Sequence, residues 1–350
     1  MAELVDALAS GASGRKALEV RLLFWALMAR AKKFRLSFFA SWKAAAMIGT
    51  CVVLLGFVWI GAARQQEAAY RKLLGDERIE LAQNTVPADV RQWIRQGGVL
   101  GANTGDKFAI QVLPKEIRVP ILMYHYVEYV KDKGDTIRES LSLTPYTFEQ
   151  QVKTLADDGY TLMTNAEVAD ALSGKIPLPP KPIVLTFDDG YRDFYTDVYP
   201  ILKKYHAKAT AYIISGFLGY PNTMDARQVR EIAGGGLVEI GAHTVNHAWL
   251  KGLPAPSLVY EVNQSKKTLE ELTGKPVVSF AYPYGAFDVP AIQAVAAAGF
   301  TSALSTVPGI DQYQIHRYFL YRLQPGGRVG NSLLSWLDSV KNEQVSYVIK

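Results

Sequence analysis

The stretch KPIVLTFDDGY, Lys181 to Tyr191, reads as a buried strand that ends in two adjacent carboxylates, Asp188 and Asp189. Ile183–Phe187 is a continuous apolar run, the pattern of a strand covered on both faces. Two neighbouring acids at the end of such a strand repel each other, and burying them is costly unless something compensates. The stretch therefore predicts a strand inside a covered sheet, with a place for positive charge at its C-terminal end.

Similar runs recur at Ile121–Tyr124, Ala209–Ile214, Val238–Ile240, Val277–Ala281 and Phe300–Leu304. Helical patterns lie between several of them, at Phe148–Gly159, Ala166–Ser173, Tyr260–Thr273 and Pro290–Ala298. Alternation of this kind predicts an α/β fold, a parallel sheet or barrel covered by helices. Polar residues then fall just past the strand ends: His125, the Asp188–Asp189 pair, His243, and Tyr282 to Tyr284. Active sites of barrel and open α/β folds are built at that end, so four segments are expected to converge on one mouth. His206 precedes a strand and is expected to be structural.

His243 and His247 are spaced i, i+4 in HTVNH. On one helical turn that spacing turns both rings to the same side. Two imidazoles and one carboxylate are a common ligand set for a first-row metal, with positions left open for water and substrate. Alone, such a histidine pair is more often a surface or core feature, and Asp-Gly more often makes a turn. Together they answer the charge problem. A metal beside Asp189 offsets its charge, and Asp188 is left to act as a base toward water.

These motifs, TFDDG (Thr186–Gly190), HTVNH (His243–His247) and FAYPYG (Phe280–Gly285), resemble the polysaccharide deacetylase family, the carbohydrate esterases built on the NodB homology domain. The resemblance runs from about Val119 to Gln324. It implies a distorted (β/α) barrel of about seven strands and hydrolysis of N-acetyl groups on an amino-sugar polymer, of peptidoglycan or poly-N-acetylglucosamine type. By motif position it assigns Asp189, His243 and His247 as metal ligands and Asp188 as general base. It also assigns the backbone N–H of Tyr284 as an oxyanion donor, with Thr244 and Asn246 as supports. Zinc suits the ligand set best; cobalt, nickel and manganese also fit.

Two positions depart from the family pattern. Ala281 stands where many members carry an arginine beside the base; Arg322 is the candidate replacement and Arg317 the weaker one. The late Leu-x-His that supplies the acid in many members is missing; His125 is the candidate acid and His316 the alternative. Trp249, Tyr191 and Tyr220 are aromatic residues that suit sugar faces, but core packing is the better expectation for each. Two other readings stay open: an amidohydrolase acting on a small non-sugar amide, and a catalytically silent glycan-binding domain.

The rest of the chain concerns placement. Residues 1–43 hold eight Lys/Arg and three Asp/Glu, which accounts for the whole net charge of +5. The remainder is balanced, so nothing suggests nucleic acid. Ala44–Ala63 contains no charge, and roughly 20 apolar residues span a bilayer as a helix. The basic flank predicts a cytoplasmic N-terminus and a single pass through the cytoplasmic membrane, with the catalytic domain outside, periplasmic or extracellular. The single cysteine, Cys51, lies in that run and excludes an intrachain disulfide. Residues 1–27 resemble the translation of a leucine transfer-RNA gene, and Met28 offers a better start. The expected organisation is a linker at 64–113, a catalytic domain at 114–330 and a tail at 331–350.

Overall fold

In the computed structural model, which describes residues 86–95, 116–132 and 134–342, seven parallel strands form one sheet. They are β1 (Ile121–Tyr124), β2 (Thr161–Met163), β3 (Pro182–Phe187), β4 (Ala209–Ile213), β5 (Val238–Ala242), β6 (Ser279–Ala281) and β7 (Ser302–Leu304). The order is β7-β6-β5-β4-β3-β1, and β2 pairs with the first half of β3. Strand β2 has only three residues, too short for its composition to stand out, and no apolar run marks it in the sequence.

The sheet is curled, and one segment spans its open side. Leu320 bridges to Leu304 at the end of β7, and Leu323 bridges to Leu122 in β1. The Met123 N–H donates to the Leu323 carbonyl at 2.8 Å, and the Ser305 N–H to that of Leu320 at 2.9 Å. Residues 320–323 thus join the first strand to the last.

Side chains alternate across a strand, and this divides the core in two. Leu122, Leu185, Phe187, Ala211, Ile240 and Phe280 belong to the large cluster between sheet and helices. Ile121, Val184, Tyr212, Ala281, Leu304 and Leu320 form a smaller one with Val168 and Leu172 of the helix Asn165–Ser173. Polar residues share that second face. Glu239 accepts hydrogen bonds from Thr210, Ser279 and the Ala166 N–H, which ties the start of this helix to β4, β5 and β6. Gly241 is required on β5, because a Cβ there would lie 2.4 Å from the Tyr212 ring.

Helix starts follow from their caps. Thr144 and Thr164 accept from the backbone three residues on, with Pro145 in the first turn of one helix and Glu167 completing a capping box in the other. Two further segments join the domain. Ala88–Arg95, within the region read as linker, is a helix that buries Val90. Gly330–Asn342, within the region read as tail, is a helix that buries Leu333 and Leu337. Burying a leucine side chain fully contributes about 1.5–3 kcal/mol. No helix among the described residues is long and apolar enough to cross a membrane. The run Ala44–Ala63 and residues 1–27 lie outside the described residues.

Candidate active site

Three strand ends deliver the acids and histidines, and backbone bonds continue the ladders beyond the strands. The Asp188 N–H donates to the Tyr124 carbonyl at 3.0 Å and the His243 N–H to that of Ile213 at 3.1 Å. Asp188 continues the alternation of Val184 and Thr186, and His243 that of Glu239 and Gly241. Both therefore face the inside of the curled sheet.

Asp189, His243 and His247 meet there. His243 Nε2 lies 3.4 Å and His247 Nε2 3.2 Å from Asp189 Oδ1, and all three side chains are buried. Among the described residues, no hydrogen-bond donor reaches either oxygen of Asp189. A buried carboxylate without donors is unstable by itself, and three ligand atoms within 4.8 Å of one another fit a divalent cation. The tautomer agrees. His243 Nδ1 lies 2.8 Å from the Ala281 carbonyl, so Nδ1 carries the proton and the Nε2 lone pair faces the cluster. The residues present thus fit a metal.

The HTVNH segment is not a helical turn. It is a tight turn in which Thr244 (φ 63°) and His247 (φ 55°) are left-handed. The rings converge, with centroids 4.9 Å apart, because two backbone reversals bring His247 back toward His243. Asp189 (φ 72°) and Tyr284 (φ 61°) are left-handed as well. A non-glycine residue held there costs about 1–3 kcal/mol, so the surrounding bonds must hold all four in place.

Asp188 is paired with Arg322. Nη1 donates to Oδ1 and Nη2 to Oδ2, each at 2.8 Å, while Nε donates to the Ser305 carbonyl at 2.8 Å. Burial pushes the Asp188 carboxyl up; Arg322 and His243 outweigh it and hold it below the ordinary carboxylate value. Arg322 reaches Asp188 because it sits on the segment that closes the sheet. Arg317 instead lies over the Tyr318 ring at 4.9 Å.

Among the remaining candidates, His125 is buried within the field of Asp189, Asp188, Arg322 and His243. Burial lowers its pKa, and the two carboxylates oppose that shift. His316 is elsewhere: Nδ1 is 2.8 Å from the Tyr321 hydroxyl, and burial alone brings its pKa down to about 4. His206 is an exposed left-handed cap at the end of the helix Tyr199–Tyr205. The Tyr284 ring lies 4.5 Å from His247 and 5.7 Å from Trp249. Tyr191 stacks on Tyr126 at 3.8 Å, and Tyr220 on Phe217 at 5.2 Å. Thr244 Oγ1 accepts from the Ala248 N–H at 3.2 Å.

Three supporting roles go unassigned in the motif reading, one of them at Thr186 inside TFDDG. Thr186 Oγ1 donates to the Leu122 carbonyl at 2.8 Å beneath Arg322. The Asp193 carboxylate accepts from the Val127 N–H and so holds the segment just after His125. Glu261 accepts from the Val245 N–H, the Asn246 N–H and the Asn246 side chain. Of the two outside the motifs, Glu261 carries a sequence signal: it is an acid on the Leu258, Val262, Ser265, Leu269 face that its helix buries.

The parallel α/β sheet thus carries a buried Asp-His-His cluster beside an arginine-paired aspartate. Residues 175–303 match the family model described as polysaccharide deacetylase. YxkH of Bacillus subtilis, classed by its name among polysaccharide deacetylases, is 30% identical over 249 residues, which is 67% of this chain and 86% of YxkH. The poly-β-1,6-N-acetyl-D-glucosamine N-deacetylase of Staphylococcus aureus is 26% identical over 63% of this chain and 84% of its own length. The solved structure of Streptococcus pyogenes deacetylase PplD, in complex with acetate, superposes with a TM-score of 0.58 at 31% identity, covering 65% of this chain and 99% of that one. The chain belongs to the polysaccharide deacetylase family.

Proposed function

We propose that this protein is a metal-dependent N-deacetylase acting on an amino-sugar polymer. The observation that carries the reading is the pairing of a buried Asp189, without a donor among the described residues, with two imidazole Nε2 atoms, next to an Asp188 held ionised by Arg322. Relatives named for poly-β-1,6-N-acetyl-D-glucosamine support the substrate class. Asp189, His243 and His247 would hold the metal, with zinc the best match to the donors. When bound, it supplies Lewis-acid polarisation of the amide carbonyl and lowers the pKa of water toward ~7.

The chain's own residues do the rest. Asp188 accepts the proton of the attacking water, and the Arg322 fork fixes the plane of its carboxylate. The Tyr284 N–H donates to the developing oxyanion. His125 delivers a proton to the leaving amine nitrogen. Acetate and a free amino sugar result. The charge-free run Ala44–Ala63 behind a basic segment supports a single-pass anchor, with this domain on the outer side of the cytoplasmic membrane.

The test is acetate release by the full chain from N-acetylglucosamine oligomers and peptidoglycan, with zinc or cobalt added, beside Asp188→Asn. Metal-dependent release that drops about 10²–10⁴-fold in the variant is expected for a lost base. Release unchanged in Asp188→Asn, or absent on every glycan with metal bound, overturns the reading.

A further inference from the structure

The left-handed conformations of Thr244 and His247 raise the question of what holds the ligand turn in shape. Its backbone groups divide between two neighbours. The carbonyls of Thr244 and Val245 accept from the N–H groups of Ser215 at 3.1 Å and Gly216 at 2.9 Å. That approach is close: a Cβ on Gly216 would lie 2.4 Å from the Val245 oxygen. The amides point the other way, toward the helix Ala255–Thr273. There one carboxylate oxygen, Glu261 Oε2, accepts from both the Val245 and the Asn246 N–H at 2.9 Å. Glu261 Oε1 accepts from Asn246 Nδ2 at 2.7 Å. Glu261 is itself buried.

We propose that Glu261 is a positioning residue for the metal cluster: its carboxylate clamps the turn between His243 and His247 and so sets the separation of their two Nε2 atoms. This rests on the reading of Asp189, His243 and His247 as the metal site. The Val245 and Asn246 amides lie between the two histidines, so releasing them frees the backbone that links the ligands. The buried Val245 N–H and the part-buried Asn246 N–H would both lose their acceptor. The left-handed His247 would then relax toward an ordinary conformation, and its ring would leave the cluster.

The geometry also separates shape from charge. A glutamine keeps one oxygen for the two amides, and its NH₂ can donate to Asn246 once that amide is turned over. An aspartate keeps the charge but is one methylene too short to reach. Placement therefore predicts that Glu261→Gln works and that Glu261→Asp and Glu261→Ala fail. Glu270, on the same helix, accepts from the Val277 N–H at 3.0 Å away from the turn and serves as a structural control.

The experiment is zinc affinity of the apo full chain, by competition with a chromophoric chelator, with thermal unfolding of each apo protein alongside. Outer partners of metal ligands typically govern about 10–100-fold in affinity. Glu261→Ala and Glu261→Asp should bind zinc 10–100-fold more weakly, and Glu261→Gln within about threefold of wild type. Glu270→Ala should lose thermal stability and keep its zinc affinity. If Glu261→Ala does not fold, the Asp and Gln variants carry the comparison. Wild-type zinc affinity in a folded Glu261→Asp overturns the proposal, as does a Gln variant as weak as Asp. A folded wild type that binds no zinc overturns the metal-site reading itself and with it this role, a failure seen before any variant is compared.

Discussion

The two terminal nitrogens of Arg322 meet the two oxygens of Asp188 in parallel at 2.8 Å, across 134 residues of sequence and with both side chains buried. Removing one partner of such a pair leaves the other buried and uncompensated, at a cost of about 3–5 kcal/mol. Arg322→Ala should lose stability by that order. It should also lose about 10²-fold in kcat through misplacement of the base. Without the arginine, burial governs Asp188 and its pKa rises, so the acid limb of kcat/KM should move to higher pH. The sign for stability is the usual one for a depressed carboxyl. The contribution is full above the ordinary value of 3.8 and is lost as pH falls through the lower folded value. Arg322→Lys keeps the charge without the fork and should restore stability more than rate. An unmoved acid limb in Arg322→Ala argues against Asp188 as the base.

His125 and His316 can be told apart. His125→Gln should lower kcat about 10²–10⁴-fold and remove the basic limb of the pH profile, because the proton donor is gone. His316→Gln breaks the bond to Tyr321; it should lower Tm and leave both limbs in place. The reverse pattern would move the acid role to His316.

Metal binding should stabilise the fold by linkage. At zinc one hundred times above its Kd the gain is about 2.7 kcal/mol, or a Tm rise of about 5–10 °C for a domain of this size. Calorimetry with zinc and with chelator checks this. Asp189→Asn should abolish the rise, since the amide removes the charge the two imidazoles share. An equal rise in that variant would place the zinc elsewhere.

Burial pushes the Asp193 carboxyl up to about 7. The folded state therefore holds this proton more tightly than the unfolded chain. Stability from this group should fall as pH rises from about 4 to about 7, then level off. Asp193→Asn keeps an oxygen for the Val127 N–H and cannot ionise. Its Tm should change less with pH across that window and exceed wild type at pH 8. A wild-type slope persisting in the variant would assign the titration to another group.

Gly241 leaves room for the Tyr212 ring inside the sheet. Gly241→Ala should cost about 1–3 kcal/mol by overpacking. Tyr212→Leu in the same chain should recover part of that loss, a coupling that a double-mutant cycle in urea measures. Additive effects would mean that the two residues do not press on each other.

The legible part of the site was its acids and histidines. Asp188 and His243 follow apolar strands, and the two-residue period that buries Val184 and Ile240 also fixes which side the polar residues face. The spacing of His243 and His247 was readable too, but its geometry was not. A helix and a double left-handed turn can place rings four residues apart side by side, and bonds to Ser215, Gly216 and Glu261 hold the turn.

Local pattern in the sequence determined the parallel α/β architecture, the strand ends and the residue types gathered there, because periodicity and composition act within a few residues. The tertiary structure decided everything that depended on closure. Leu320 and Leu323 bridge the last strand to the first, and that contact carries Arg322 to Asp188. The same closure leaves His316 beside Tyr321, away from the acids, while His125 faces them. A charge on a buried helix face, as at Glu261, signals in sequence only that a partner must exist. Which amides it holds depends on where the helix packs, and packing is a property of the folded chain.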